Sequence, residues 1–158
     1  MDDTPEMKRL SALLSSQGFG VLSTEGGGSP YASLVAFAAT GDFRELLFAT
    51  PRGTRKYGNL KKNPRAALLV DDRSNTASDL EHAVAVTAVG AATELSGGAG
   101  EERLLVYLER HPRLEEFARD PTSALFTLKV EKYVCAWSFR KITVVEMSDP
   151  RSEASDEP

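Results

Sequence analysis

The sequence has little of what a secreted, disulfide-bonded or membrane-spanning protein needs. Its 158 residues include a single cysteine, Cys135, which excludes an internal disulfide and fits a reducing cytoplasm. No apolar run approaches the roughly 20 residues that span a bilayer, and the first ten residues lack the apolar core of a signal peptide. We therefore expect a cytoplasmic protein that does not associate with membranes.

Several kinds of binding and catalytic site are also missing from the sequence. With two histidines, His82 and His111, and no paired cysteines, the chain has no zinc signature. The acidic stretch 71–81 lacks an oxygen ligand and a glycine that an EF-hand loop requires, so no metal site is expected. The net charge of −4 argues against general binding of nucleic acid. No residue is singled out as a general acid, base or nucleophile, so the catalytic residues are not predicted.

What the sequence does contain is a series of apolar segments separated by tight turns. With 41% hydrophobic residues, the chain is long enough to form one domain with a substantial core, residues 1–147. The spacing of the segments favours an antiparallel barrel or a sandwich. The segment 148–158 is acidic, has no large apolar residue and is predicted to be a disordered tail. The predicted strands cover residues 19–24, 31–39, 45–50, 66–70, 82–95, 124–139 and 141–147.

Two longer helices are predicted to pack against these strands. Residues 5–16 form an amphipathic helix, whose apolar stripe consists of Met7, Leu10, Leu13 and Leu14. Asp2, Asp3 and Thr4 supply its capping and its favourable charge. After a loop at 97–100, a second helix covers 101–110, places Leu104, Leu105 and Leu108 inward, and ends at His111-Pro112. Gly90, inside a predicted strand, is expected to form a bend or bulge.

The charge pattern of one stretch, Phe48–Val70, differs from that of the rest of the chain. It holds six basic residues and no acid between Arg52 and Arg65, whereas the rest of the chain carries 13 basic and 23 acidic residues. Thr54 is predicted to cap a short helix that ends at Asn63, before Pro64. The first turn of that helix contains Arg55 and Lys56, where the helix dipole is positive and each cation costs roughly 0.3–1 kcal/mol. A bound anion would reverse this cost, and a solvated basic face is the equally weighted alternative.

The same stretch, FATPRGTRKYGNLKKNPRAALLV, resembles the flavin-phosphate segment of the pyridoxamine 5′-phosphate oxidase-like family. The family pattern is a strand ending in Thr, then Gly-Ser/Thr-Arg-Lys, a short helix, and Asn-Pro-Arg opening the next strand. A weaker similarity covers residues 18–146. The resemblance implies a mainly β fold, an antiparallel split β-barrel with flanking helices, and FMN as the cofactor. It also implies that the FMN phosphate is held by Thr50, Thr54, Arg55 and Lys56.

Further expectations follow from the resemblance alone. Family members form homodimers, with the cofactor in a crevice between the chains, and react with small-molecule electron donors and acceptors. Trp137 is more often core than ligand contact, but the resemblance makes it a candidate to contact the flavin of the partner subunit. The flavin ring would be contacted by the backbone of Ser33, Leu34, Val35 and Ala36.

The sequence also departs from the family pattern at positions that bind the vitamin substrate. Ser33 and Ala38 stand where the pyridoxal phosphate-forming oxidases carry an Arg and a Lys, and Ala49 replaces a tyrosine. The Arg-Leu-His-Asp-Arg-like motif at the end of those oxidases is absent. We therefore expect an FMN-dependent oxidoreductase with a different substrate. One alternative is a haem-utilisation protein, which segment 111–137 loosely resembles. Another is a flavin-binding module without turnover. A deazaflavin in place of FMN is the alternative cofactor.

Overall fold

The structure is a computed structural model that describes residues 3–147. The predicted tail at 148–158 lies outside these residues. Within them, none of the helices is both long and apolar enough to cross a membrane.

Residues 3–147 form seven strands and five α-helices. The helices are α1 (Pro5–Ser16), α2 (Arg55–Lys62), α3 (Asp79–His82), α4 (Gly97–Arg110) and α5 (Glu115–Arg119), with a 3-10 turn at Pro112–Leu114. The strands are β1 (Phe19–Gly26), β2 (Ser29–Ala39), β3 (Glu45–Pro51), β4 (Arg65–Asp71), β5 (Val84–Glu94), β6 (Ser123–Trp137) and β7 (Lys141–Glu146).

The strands form one closed antiparallel barrel. Their order is β3-β2-β1-β4-β5-β6, and β6 pairs back to β3, so that six strands complete the ring. The long strand β6 also pairs with β7, which lies outside the ring. This architecture confirms the predicted mainly β split-barrel fold with flanking helices. The predicted bulge is also confirmed, because the register of β5 against β6 shifts between Val89 and Gly90. A side chain at Gly90 would clash with the carbonyl oxygen of Lys129.

The helices α1 and α2 lie at opposite ends of the barrel. The predicted stripe of α1 is buried in the same apolar cluster as the barrel interior. At that end α1 lies beside Trp137 and Val84. At the other end, the Asn59 side chain of α2 donates to Thr24 of β1 at 3.0 Å. The barrel is therefore closed at one end by an amphipathic helix that buries an apolar face and at the other by a mostly polar helix.

Some boundaries and faces differ from the sequence predictions. Residues 97–100 form the first turn of α4 rather than a loop, and His82 belongs to α3 rather than to the following strand. Strand β6 ends at Trp137, because Ser138 and Phe139 both adopt positive φ and form the turn to β7. In α4, the prediction for Leu105 was wrong. Its side chain is exposed, and Tyr107, three positions after Leu104 and on the same face, is buried instead.

Candidate functional site

The barrel is split between β2 and β3 near the predicted anion site. The two strands pair only where residues 37–39 face 46–48. Beyond that point β3 continues beside β6 as far as Pro51. Residues 29–36 of β2 pair with β1 on one edge and have no strand partner on the other among the described residues. We call this unpaired part of β2 the open edge.

The open edge exposes the backbone groups of only some of the four residues that are predicted to contact the flavin ring. The Phe37 N–H donates to the Gly18 carbonyl, on the β1 side. Because successive residues of a strand direct their backbone groups to alternate edges, Leu34 and Ala36 present theirs to the open edge. Ser33 and Val35 direct theirs to β1. The structure thus places two of the four predicted backbone contacts at the split.

The side chains of β2 also alternate, between the outer face of the barrel and its interior. Leu34 is 70% exposed on the outer face, whereas Val35 is buried inside the barrel. Ser33 shares the interior face, since its cross-strand partner is the buried Leu22. The Ser33 hydroxyl is buried and has no hydrogen-bond partner in the part of the chain that is described. With its backbone groups directed to β1 and its hydroxyl buried inside the barrel, Ser33 therefore presents no polar group to the open edge.

Thr54 and Thr50 fix the start of α2. The Thr54 hydroxyl caps the helix by accepting from the Tyr57 N–H at 3.4 Å, and its oxygen lies 2.9 Å from the Pro51 carbonyl, to which it can donate. Thr50 Oγ1 lies 2.8 Å from Thr54 Oγ1. Thr50 is only 1% exposed, so this contact ties the Thr54 hydroxyl to a buried residue of β3. The predicted cap is confirmed, and the two threonines lie together.

Arg55 and Lys56 provide uncompensated positive charge at the same point. Neither forms an ion pair among residues 3–147, and the Arg55 guanidinium lies 5.3 Å from the centroid of the Tyr31 ring, at the start of the open edge. Their backbone N–H groups have no acceptor within the helix, because the first residues of a helix have no carbonyl four positions back. Free N–H groups, the positive end of the helix dipole and two cations are together the groups that could hold an anion.

The other cations between Arg52 and Arg65 lie in different surroundings. Arg52 and Lys61 pair with Glu94, and Arg65 pairs with Glu131. Lys62 has no ion pair within the described residues but lies in the last turn of α2, where a cation is favourable. Both cations that are placed unfavourably, Arg55 and Lys56, are therefore left without a carboxylate among residues 3–147.

Trp137 lies far from this site within its own chain. It is 5% exposed and belongs to the barrel core at the α1 end, where the Arg9 guanidinium covers its ring. Its indole N–H donates to Thr143. Ala124, at the other end of β6, is the residue that pairs with Thr50. This placement within one chain favours the core interpretation of Trp137.

Sequence reasoning missed three residues around the site. Tyr31 places its ring against Arg55, and Glu94 binds the side of α2. His111 Nε2 donates to the Phe37 carbonyl at 2.7 Å, which ties the end of α4 to β2. The His-Pro dipeptide marks the end of α4, but none of the three contacts has a local signal in the sequence.

Comparison with known proteins assigns the chain to a family. The profile described as pyridoxamine 5′-phosphate oxidase matches residues 7–134, which is most of the chain. The chain belongs to the pyridoxamine 5′-phosphate oxidase family. No curated protein sequence matches it significantly.

Solved structures with the same fold carry different names. A heme binding protein from Mycobacterium smegmatis is 17% identical, with a TM-score of 0.81, and the match covers 92% of this chain and 60% of that one. ChuZ from Campylobacter jejuni is 16% identical, with a TM-score of 0.78 and coverage of 92% and 61%. A FAD-binding protein from Mesorhizobium loti is 18% identical, with a TM-score of 0.66 and coverage of 82% and 90%. This member of the pyridoxamine 5′-phosphate oxidase family thus spans about 60% of the length of the first two. At these identities the likeness concerns the fold alone.

Proposed function

We propose that this chain binds FMN, with the phosphate at the N-terminus of α2, and acts as a small flavin-dependent oxidoreductase. The observation that carries the proposal is the pair Arg55 and Lys56 in the first turn of α2, which have no carboxylate partner within residues 3–147, with Arg55 against Tyr31 of the open edge. Membership of the family and the name of the M. loti relative support a flavin. The combination of helix N-terminus and two cations at α2 is our reason for choosing FMN, which carries one phosphate.

The residues at the split fit such a ligand. From Tyr31 to Ala36 the open edge extends about 17 Å along the strand, and it offers unpaired backbone donors and acceptors throughout. Bound flavin would supply the redox chemistry, while the protein binds, orients and shields it. In this chain Arg55 and Lys56 would neutralise the phosphate, and the backbone of Leu34 and Ala36 would orient the rest of the cofactor.

A comparison of FMN with riboflavin tests the phosphate site directly. Riboflavin has the same ring but lacks the phosphate, so it should bind far more weakly than FMN. Flavin fluorescence during titration of the purified protein measures both affinities. Equal affinity for the two ligands would contradict the assignment of the phosphate to Arg55 and Lys56.

The proposed substrate is not pyridoxine or pyridoxamine phosphate. Ser33 points into the barrel, and Ala38 is buried in a cluster with Leu104 and Tyr107 of α4. The two positions where the vitamin oxidases carry cations are therefore closed as well as uncharged. We expect no turnover of either phosphate at ordinary enzyme rates, on the order of 1 per second, in an assay of FMN-loaded protein.

We also propose that the protein is a homodimer. A row of neighbouring residues crosses the outer face of six strands, and all but Thr87 are apolar: Leu34, Val21, Leu69, Thr87, Val134 and Val144. Leu34 and Val144 are largely exposed in the single chain. A second copy would cover this face, and a stable dimer of this kind buries roughly 2,000 Å² or more. Sedimentation at micromolar concentration tests this proposal, and a flavin-loaded monomer would contradict it.

Haem binding is the second candidate function, and the name of the M. smegmatis relative supports it. The available ligands make it the weaker candidate. His111 uses Nε2 to hold the Phe37 carbonyl, and the exposed His82 lies at the α1 end, near Trp137. A Soret band in purified protein would favour haem, whereas a yellow flavin spectrum would favour FMN. Reduction of bound flavin by NADH or NADPH would then separate an enzyme from a module without turnover.

A further inference from the structure

The carboxylate of Glu94, at the end of β5, contacts three residues of the basic stretch between Arg52 and Arg65. The Tyr57 hydroxyl donates to it at 3.1 Å, and the Lys61 ammonium donates at 3.2 Å. Arg52 pairs with its other oxygen and also donates to the Tyr57 hydroxyl at 3.2 Å. Since Tyr57 and Lys61 are one helical turn apart and share a face of α2, a single carboxylate holds that face.

Helix α2 depends on such contacts because it has little apolar burial of its own. It is eight residues long, and only Leu60 is buried, whereas an isolated helix of this length is unstable in water. Its other anchors are also polar. Asn59 bonds Thr24 at 3.0 Å, and the C-cap Asn63 bonds Glu25 at 2.8 Å. Apart from Leu60 and the Tyr57 ring, which packs edge-on against Phe126, α2 is therefore held by hydrogen bonds and ion pairs.

Glu94 also determines which cations remain available to a ligand. Its side chain is only 18% exposed. Burial alone would raise the pKa of Glu94, but the bonds from Arg52, Lys61 and Tyr57 lower this pKa below its ordinary value, so the group is ionised at neutral pH. Arg52 and Lys61 thereby share one carboxylate, while Arg55 and Lys56 have no ion-pair partner within residues 3–147.

We infer that Glu94 is a positioning residue of the anion site. It holds α2 so that the helix N-terminus faces the open edge, and it keeps Arg52 and Lys61 away, so that the phosphate meets Arg55 and Lys56. The inference rests on the proposed FMN function for its affinity measurements, but the orientation of α2 is a property of the ligand-free chain. Glu131 offers a matched comparison, because its pair with Arg65 lies outside α2 and both side chains are more than half exposed.

The test compares Glu94→Gln with Glu131→Gln. Glutamine keeps the size and one acceptor oxygen but removes the charge. We expect Glu94→Gln to weaken FMN binding about tenfold, which is the loss of one charge-assisted hydrogen bond, and to change riboflavin binding less than twofold. Glu131→Gln should change neither. Tyr57→Phe, which removes a neutral hydroxyl that donates to Glu94 and accepts from Arg52, should weaken FMN binding about threefold.

Hydrogen exchange of the flavin-free protein provides a second, independent measurement. In Glu94→Gln the amides of residues 58–62 should exchange at least about tenfold faster, while those of β6 keep their protection. Unchanged exchange in α2, equal loss of FMN and riboflavin binding, or tighter FMN binding from the freed cations would each overturn the inference. Failure of the wild-type protein to bind FMN would instead contradict the proposed function, and the exchange result would still decide the role of Glu94.

Discussion

The two helices that close the barrel, α1 and α2, are stabilised in opposite ways. Helix α1 buries Met7, Leu10, Leu13 and Leu14 in the main core, and the Thr4 hydroxyl caps its first turn, which contains the acidic Glu6. Helix α2 buries only Leu60 and is held by polar side chains of neighbouring strands. Apolar burial contributes most of the stability of a domain, so the α1 end stabilises the fold. The α2 end leaves polar groups and charge free for a ligand.

The charges of the two helices differ in the same sense, with a favourable arrangement in α1 and an unfavourable one at the start of α2. Helix α1 has an acid in its first turn, as the helix dipole favours. Helix α2 has favourable lysines in its last turn but two cations in its first, each costing roughly 0.3–1 kcal/mol. An arrangement that costs stability without a structural gain is typical of functional sites. A bound phosphate would remove that cost.

The largest expected effect belongs to the α1 end. Trp137→Ala should lower the free energy of unfolding by about 3–5 kcal/mol, because it removes a buried aromatic side chain from the core. It should change FMN affinity less than twofold, and denaturant unfolding and flavin titration measure the two effects. If the variant instead lost flavin affinity at unchanged stability, Trp137 would contact the cofactor of a partner subunit, and the division between the two ends would fail.

The next effect belongs to the α2 end. Lys56→Ala should weaken FMN binding about tenfold to a hundredfold, because one charge-assisted contact is worth roughly 1.5–3 kcal/mol. The stability of the free protein should stay the same or rise slightly. Lys62→Ala is the control, since Lys62 is also unpaired among the described residues but lies in the last turn of α2. Equal losses in the two variants would mean that the whole basic face, rather than the helix N-terminus, attracts the ligand.

The features that sequence could predict are local. The stripe of α1, the Thr54 cap and the end of α2 at Asn63 each depend on residues within a few positions of one another. The Gly90 bulge was also predictable, because a glycine interrupts a long apolar strand. These signals also predict the anion site at the start of α2, which stays a prediction.

The features that sequence could not predict depend on distant pairings. The open edge exists because β3 leaves β2 for β6, which starts more than 70 residues later. Glu94 meets Tyr57 from 37 positions away, and Thr50 is buried because β6 covers it. No local pattern distinguishes Glu94 from the other acids of the chain, so its role could be found only in the folded structure.

A smaller effect on FMN affinity is expected from a substitution that concerns Arg55 and not Lys56. Arg55 lies over the Tyr31 ring, and such contacts are worth about 0.5–1 kcal/mol at exposed positions. Tyr31→Leu should therefore weaken FMN binding about twofold to fivefold, while riboflavin binding falls less. An unchanged FMN affinity in the flavin titration would show that Arg55 reaches its position without the ring, and that only the polar contacts of α2 orient the site.

The smallest expected effect is a dependence of stability on acid pH that arises at the α2 end. The pKa of Glu94 is lowered because its bonds from Arg52, Lys61 and Tyr57 outweigh the effect of burial. A carboxylate with a lowered pKa contributes its full stabilisation above its pKa in the unfolded chain, roughly 4.3, and this is lost as pH falls through the lower folded value. Wild-type protein should therefore lose more stability below pH 4.3 than Glu94→Gln does, by about two degrees in melting temperature. Parallel melting curves for the two proteins between neutral and acid pH would show that the contacts of Glu94 add no stability, and that Asn59 and Asn63 hold α2 instead.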